Sequence, residues 1–343
     1  MRKPLLGLHE APLRSFVLAV AILIAASMLA NCNGGGISLP GPTPTPTPCR
    51  SCVAAEYQLA AGSMPIGIAT GSDGNLWFTE QFSGKIGKTT TAGAITEYAP
   101  PTAGSFPSGI AAGPDGNLWF TESAAQKIGK LTTAGVITEF AVPTAGGSPY
   151  GICVGPDGNL WFTETSGNKI GKITTAGVIT EFAIPTAGSN AIGIAAGRDG
   201  NLWFTESVGN KIGKITTAGA VTEVAVPTAG SQPNGIVAGP DGSLWFAEGL
   251  GNKIGRITTA GVITEFAIPT AGSGAFGITA GADGNLWFTE QLGDKIGRIT
   301  TAGVVTEFAV PTAGSNPFDI TAGPDGKLWF TEFLGNKIGK FTP

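Results

Sequence analysis

Seven tryptophans divide most of this chain into equal parts. They stand at positions 77, 119, 161, 203, 245, 287 and 329, so each follows the previous one by 42 residues. The same phrase surrounds every one of them, most clearly PDGNLWFTE at residues 156–164, and a KIGK segment follows it. A fixed period of this length predicts a repeat architecture, in which each copy is one small unit that packs on its neighbours.

Each repeat predicts four short β-strands. In the third copy these are residues 151–154, 160–164, 169–174 and 178–184, separated by turn-forming Pro, Asp, Gly and Asn residues. Strand alternation places Leu160 and Phe162 on one face and Trp161 on the other, so both faces of the sheet are apolar. No segment has a helical period that could cover them. Neighbouring sheets must do so, which predicts an all-β, seven-bladed β-propeller with four-stranded blades.

The two ends of the chain predict how the ring closes. The last repeat stops at Pro343, before its fourth strand, and the missing strand sequence occurs at residues 55–59 as AEYQL. Pairing this N-terminal strand with the last blade would complete that blade and cover two open strand edges. An open stack of repeats would instead need a distinct polar cap at each end. We therefore expect residues 53–343 to form a closed propeller.

The first 31 residues have the pattern of a signal peptide. Arg2, Lys3 and Arg14 precede an apolar run at 16–30, which is short for a membrane span. The run ends in Leu-Ala-Asn-Cys, similar to a bacterial lipobox, and this predicts that Cys32 carries a lipid. Secretion without a lipid is the alternative. We expect a secreted or envelope protein that contacts the membrane only through this anchor.

Residues 32–52 are predicted to be a tether. A Gly-rich stretch is followed by alternating Pro and Thr, a composition that favours extended polyproline II and cannot bury a core. Cys49 and Cys52 lie at its end, and outside the cytoplasm they are predicted to form a local disulfide.

Composition excludes some partners. The net charge is −4 and no basic run occurs, which argues against binding of nucleic acid. The only histidine is His9, inside the predicted signal peptide. The mature chain therefore lacks the side chain that most often serves as a general base near neutral pH. We expect a monomer.

Seven internal copies separate residues that serve the blade from residues available to a site. Most acids recur, as Asp157, Glu164 and Glu181 do in the third copy, and so do two basic residues, Lys169 and Lys172. We predict turn residues and inter-strand ion pairs on a solvated face, each worth about 0–1 kcal/mol.

The informative variation precedes the Gly-Ile of the first strand. This position is occupied in turn by Ile66, Ser108, Tyr150, Ile192, Asn234, Phe276 and Phe318. The next position is Gly in six repeats and Asp319 in the seventh. Innermost strands line a propeller's axial channel, so Ser108, Asn234, Phe276 and Phe318 are predicted to contact a small-molecule or envelope-protein ligand there. The alternative is that these residues merely plug the channel.

The repeated phrase, with its GPDGNLWFTE and KIGKIT segments, resembles the virginiamycin B lyase (streptogramin lyase) family over residues 54–343. The resemblance implies a seven-bladed propeller that opens the ester ring of type B streptogramins by Mg²⁺-assisted elimination. The family's catalytic histidines correspond here to Phe276 and Phe318. A metal-holding glutamate corresponds to Asn316, and a second one to Phe333, or to Glu332 if the alignment shifts by one residue.

Three hypotheses remain open. The first is a ligand- or partner-binding envelope protein without catalysis and without a cofactor. The second is a carbon–oxygen lyase of this family with displaced groups, in which Asp319 and Tyr150 are catalytic and Asn316 and Glu332 hold Mg²⁺. The third is a Ca²⁺-dependent lactonase-like hydrolase whose ion would be held by Asn234, Asn316 and Asp319.

Overall fold

The computed structural model describes residues 55–342. They form seven four-stranded antiparallel sheets arranged as a seven-bladed propeller, as predicted, and 28 strands in all within that range. Innermost strands of neighbouring blades contact each other around the whole ring, including those of the first and last blades. Residues 55–342 contain no helix that is long and apolar enough to cross a bilayer.

The strands follow the repeat closely. Their bounds, blade by blade, are as follows: in blade 1, β2 (Pro65–Thr70), β3 (Leu76–Glu80), β4 (Lys85–Thr89) and β5 (Ile95–Tyr98); in blade 2, β6 (Pro107–Ala112), β7 (Leu118–Glu122), β8 (Lys127–Leu131) and β9 (Ile137–Ala141); in blade 3, β10 (Pro149–Val154), β11 (Leu160–Glu164), β12 (Lys169–Ile173) and β13 (Ile179–Ala183); in blade 4, β14 (Ala191–Ala196), β15 (Leu202–Glu206), β16 (Lys211–Ile215) and β17 (Val221–Ala225); in blade 5, β18 (Pro233–Ala238), β19 (Leu244–Glu248), β20 (Lys253–Ile257) and β21 (Ile263–Ala267); in blade 6, β22 (Ala275–Ala280), β23 (Leu286–Glu290), β24 (Lys295–Ile299) and β25 (Val305–Ala309); in blade 7, β26 (Pro317–Ala322), β27 (Leu328–Glu332), β28 (Lys337–Phe341) and β1 (Ala55–Gln58).

The N-terminal strand completes blade 7. β1 pairs antiparallel with β28, with Tyr57 opposite Ile338. The Tyr57 ring stacks on Trp329 at 5.6 Å between centroids, and Leu59, just beyond the strand, is buried. The predicted strand exchange is thereby confirmed, and it hides the edge that β28 would otherwise leave open.

The core lies between blades. Each of seven apolar clusters combines the Trp of one blade with the Leu and Phe of the next blade's second strand, for example Trp119 with Leu160 and Phe162. Strand alternation explains why one strand contributes to two clusters. Trp161 lies on the opposite face of the strand from Leu160 and Phe162, and it packs in the next cluster around the ring. Cys153 packs against that same cluster, and its thiol forms no disulfide within residues 55–342.

The recurring Asp-Gly turn holds the tryptophan in place. In blade 2 the Asp115 carboxylate accepts a hydrogen bond from the Trp119 indole at 3.0 Å and another from the Asn117 amide at 2.9 Å. Burial raises the pKa of Asp115, but hydrogen bonds from Lys130, Asn117 and Trp119 outweigh it and lower the pKa to about 2. The Lys130 ammonium also lies over the Trp119 ring, 5.2 Å from its centroid.

A threonine joins successive blades near the axis. In blade 3, Thr163 Oγ1 accepts the N–H of Gly151 at 2.9 Å and donates to the carbonyl of Ile192 in blade 4 at 3.0 Å. The innermost strands approach so closely there that a Cβ on Gly151 would lie 2.3 Å from that carbonyl oxygen. Close approach therefore explains why six repeats have Gly at this position.

Candidate functional site

All but one of the non-repeating residues of the first strands meet at a cavity of about 150 Å³ on the propeller axis. A register shift interrupts the first strand pair of every blade, in blade 3 between Pro149 and Ile152. Such a bulge re-aims the side chains within it, and Tyr150 lies inside this one. The cavity is lined by the Gly-Ile segments together with Ile66, Ser108, Tyr150, Ile192, Phe276, Phe318 and Asp319.

Asp319 is the carboxylate of this cavity. Its oxygens accept two backbone hydrogen bonds, from Ile320 at 2.9 Å and from Ile68 of blade 1 at 3.2 Å. Burial raises the pKa of Asp319 to about 6, although these two hydrogen bonds lower it. The carboxyl is thus ionised at neutral pH, on a half-buried residue of the cavity lining.

Aromatic rings form one side of the cavity lining. The rings of Phe276 and Phe318 lie 4.2 Å apart between centroids, and Phe333 lies 5.7 Å from Phe318. Burial, and then the charge of Asp319, raises the pKa of the Tyr150 hydroxyl well above its ordinary value. Tyr150 is therefore a neutral phenol at any physiological pH.

Of the two remaining predicted ligand residues, Ser108 lines the cavity and Asn234 does not. Ser108 lines the cavity, but its hydroxyl contacts the Phe106 carbonyl at 3.2 Å. Asn234 is not among the lining residues, and its amide donates to the carbonyl of Ala275 at 3.3 Å. Their roles in ligand binding stay predictions.

Asn316 and Glu332 have surroundings that do not suit Mg²⁺. The Asn316 amide donates to the Gln291 carbonyl at 3.2 Å. Glu332 is fully buried, and burial, followed by the charge of Glu56, raises its pKa to about 7. Within residues 55–342 no group of three or more His, Cys, Asp and Glu side chains could hold a metal ion. Mg²⁺ prefers several oxygen ligands that include ionised carboxylates, so the side chains present do not fit it.

The glutamate that ends each Trp strand corrects one sequence prediction. A solvated ion-pair role is wrong for these seven residues, because all of them are fully buried: Glu80, Glu122, Glu164, Glu206, Glu248, Glu290 and Glu332. The period of two puts Glu206 on the same face as Leu202 and Phe204. Neither of its carboxyl oxygens has a hydrogen-bond partner among the described residues. Burial, followed by the charge of Glu223, raises the pKa of Glu206 to about 7.

The fourth-strand glutamates do form the predicted ion pairs. In blade 4, Glu223 accepts hydrogen bonds from Lys211 and from the hydroxyl of Thr186, both at 2.7 Å. Thr186 belongs to the segment that enters blade 4 from blade 3, so this cluster ties that segment to the outer strand. Burial raises the pKa of Glu223, but the bonds from Lys211 and Thr186 outweigh it and lower the pKa.

Three predicted residues lie outside the described part of the chain. They are the lipidation site Cys32 and the proposed disulfide partners Cys49 and Cys52. The signal peptide and the tether fall there as well, so these assignments remain predictions.

Comparison with known proteins gives a consistent result. The model of the virginiamycin B lyase family matches residues 50–191 and 152–343. The structure of selenomethionine-substituted virginiamycin B lyase from Staphylococcus aureus is 43% identical with a TM-score of 0.81, covering 85% of this chain and 99% of that one. A streptogramin B lyase structure is 42% identical, also with a TM-score of 0.81, covering 84% of this chain and 97% of the other.

Two further findings complete the comparison. A catalytically inactive histidine-to-alanine variant of the S. aureus enzyme, solved with quinupristin, matches at 43% identity and a TM-score of 0.81 over 85% of this chain and 99% of that one. The extracellular domain of a one-component system from B. thetaiotaomicron is 14% identical with a TM-score of 0.64, covering 83% of this chain and 40% of that one, and shows the fold alone. No curated protein matches the chain.

Proposed function

This chain belongs to the virginiamycin B lyase family. We propose that it binds a small ligand in its axial cavity and does not open the ring of that ligand by elimination. The observation that carries this proposal is the contact between Phe276 and Phe318. Their rings lie 4.2 Å apart in the cavity lining, at the two positions where the resemblance implies catalytic histidines.

Elimination requires a group that takes a proton beside a carbonyl. Histidine suits this task because its pKa lies near neutral, and a phenylalanine ring accepts no proton. The side chains at Asn316 and Glu332 also fit Mg²⁺ poorly, for the reasons given above. Phenylalanine in place of the base at both positions, together with side chains that suit Mg²⁺ poorly, supports binding over catalysis.

Asp319 favours a second candidate function, a lyase with displaced groups. Its pKa of about 6 is close to that of a useful general base, and Tyr150 would be the second polar group of such a site. Against this stands the engagement of both Asp319 oxygens by backbone N–H groups. Residues 55–342 offer little support for a calcium-dependent hydrolase, because they contain no group of three or more carboxylates that could hold the ion.

The place of action is part of the proposal. The signal-like segment, the lipobox-like Cys32 and the Pro-Thr tether support a protein that works outside the cytoplasm, held to the cell envelope by a lipid.

Incubation with quinupristin and Mg²⁺ tests the absence of elimination. We expect no linear product on chromatography under conditions in which the S. aureus enzyme converts the antibiotic fully. Elimination leaves the mass of the antibiotic unchanged, whereas hydrolysis adds one water, so mass spectrometry separates the two reactions. Linearisation by the wild-type protein that disappears in Asp319→Gly would overturn the proposal and support the second candidate.

A further inference from the structure

The cavity contains a charge that no basic residue within 55–342 neutralises. Asp319 is the only carboxylate among the lining residues, and no Lys or Arg lines the cavity with it. Across residues 55–342, no basic side chain affects the pKa of its carboxyl. The hydrogen bonds to this carboxyl come from the backbone N–H groups of Ile68 and Ile320. Asp319 is half-buried, and a carboxylate that is partly removed from water gains stability when a cation accompanies it.

Six sister repeats make the presence of this carboxylate informative. Gly occupies the same position in each of them, because a Cβ on Gly109, for example, would lie 2.3 Å from the carbonyl oxygen of Tyr150. Asp319 therefore has a side chain at a position where the other six repeats leave no room for a Cβ. Its link to Ile68 is a contact between blades, but the other six blade junctions form without such a link. A structural role alone does not explain the charge.

The walls around Asp319 suit an organic cation. Phe276, Phe318 and Tyr150 line the cavity with it, and aromatic faces attract cations, most strongly where water is excluded. The volume of about 150 Å³ is that of a cavity known to admit benzene, so a molecule of this size fits. An inorganic divalent ion would need further ionised ligands, which the lining does not supply.

We propose that the axial cavity binds a small organic cation, whose ammonium group pairs with Asp319 while its apolar groups contact Tyr150, Phe276 and Phe318. This inference names the ligand class for the cavity and so rests on the proposed function. Anions are repelled by the carboxylate, and a neutral ligand would leave it without a counter-ion.

Titration with choline and with its uncharged isostere 3,3-dimethylbutan-1-ol tests the ligand class. Both have the same shape, so only the charge differs. We expect choline to bind at least about tenfold more tightly than the alcohol, the ratio that about 1.4 kcal/mol produces. Isothermal titration calorimetry or NMR line shifts of the probe would measure both affinities at pH 7.5.

Three variants test whether the Asp319 carboxylate causes the preference for choline. Asp319→Asn and Asp319→Gly are expected to lose the preference for choline, and Gly is the residue of the other six repeats at this position. Asp294→Asn is the matched control, since it also converts a non-repeating acid into the residue of four sister repeats, Asn168, Asn210, Asn252 and Asn336. It is expected to bind choline like the wild type, and thermal unfolding confirms that each variant is folded.

Equal affinities for choline and the alcohol, absence of choline binding, or unchanged choline binding in Asp319→Asn would each overturn the inference. These outcomes are separate from the test of the proposed function. Linearisation of quinupristin would contradict a purely binding role whatever choline does, whereas failure of choline without linearisation would overturn the ligand class alone.

Discussion

A chain that begins at Ala60 is expected to lose most of its stability, whereas one that begins at Ala55 is expected to unfold at the same denaturant concentration as the full-length protein. The shorter chain lacks β1 (Ala55–Gln58) and the buried Leu59. The longer one retains every described strand. The two differ by five residues, so the comparison isolates the ring closure.

The expected loss follows from what β1 and Leu59 cover. Tyr57 and Leu59 pack in one cluster with Trp329 and Ile338, and burial of one large apolar side chain contributes about 1.5–3 kcal/mol. Glu56 also accepts a hydrogen bond from Lys337 at 2.6 Å. Removal of the segment should therefore cost about 5 kcal/mol or more, a large part of the roughly 5–15 kcal/mol that stabilises a typical domain.

Urea denaturation followed by tryptophan fluorescence measures this difference. The shorter chain should also self-associate in size-exclusion chromatography, because the edge of β28 is left unpaired. Equal midpoints and a monomeric elution volume for both chains would show that β1 does not close the ring.

The free energy of unfolding is expected to fall as the pH rises from 5 to 8. Burial raises the pKa of the Trp-strand glutamates, to about 7 in Glu122, Glu164 and Glu206 and to about 8 in Glu290. In the unfolded chain these groups release their protons near the ordinary value of 4.5. Above that pH the unfolded state binds fewer protons than the native state, so stability decreases until the native pKa is passed.

The fourth-strand glutamates change the free energy of unfolding in the opposite direction and in a lower pH range. The pKa of Glu223 is lowered, so its contribution is present above 4.5 and is lost as the pH falls through the lower native pKa. Stability should therefore be greatest at mildly acidic pH.

Two variants in blade 4 separate these effects. Glu206→Gln removes a group that must ionise while buried, so its stability relative to the wild type should improve between pH 5 and pH 8 by about 1–3 kcal/mol, at 1.36 kcal/mol per pKa unit. Any packing cost of the amide is the same at both pH values and cancels. Glu223→Gln should destabilise the protein at both pH values, but less at pH 8 than at pH 5, because the charge of Glu223 also raises the pKa of Glu206. A Glu206→Gln variant with the same pH dependence as the wild type would contradict the assigned burial.

Most of the fold follows from the period of the sequence. Seven copies with apolar side chains on both strand faces, such as Leu160 and Trp161, leave only neighbouring sheets to cover them. The last repeat has no fourth strand, and the sequence of such a strand occurs at the N-terminal end, as β1. This position predicts that β1 completes blade 7 and closes the ring. The structure confirms both predictions, and the comparisons confirm the family.

The buried glutamates show where the reasoning from sequence failed. Because glutamate is charged, these side chains were predicted to be exposed to solvent. Glu206, however, occurs four residues after Leu202 and therefore lies on the same buried face of the strand. Alternation could have revealed this. The inter-blade bonds of Thr163 were missed because a threonine is ordinary in a strand, and only the contact with the next blade gives it a role.

The site was predictable in part. Variation among the repeats identified Tyr150, Phe276, Phe318 and Asp319, which the structure brings to one cavity. It could not show that Asn234 lies outside the lining, because its amide donates to the Ala275 carbonyl of the next blade, a contact that spacing does not encode. Nor could it show that Asp319 has no basic neighbour in the described part of the chain, because that depends on every strand around the axis.

A crystal structure of residues 55–343 with choline tests the central claim most directly, namely that the non-repeating residues of a closed seven-bladed ring form one binding site on its axis. We predict seven blades and a choline molecule in the axial cavity, with its ammonium against Asp319 and its methyl groups against Phe276 and Phe318. A ring with another number of blades, or choline bound only on the outer surface while the axial cavity contains water alone, would contradict it.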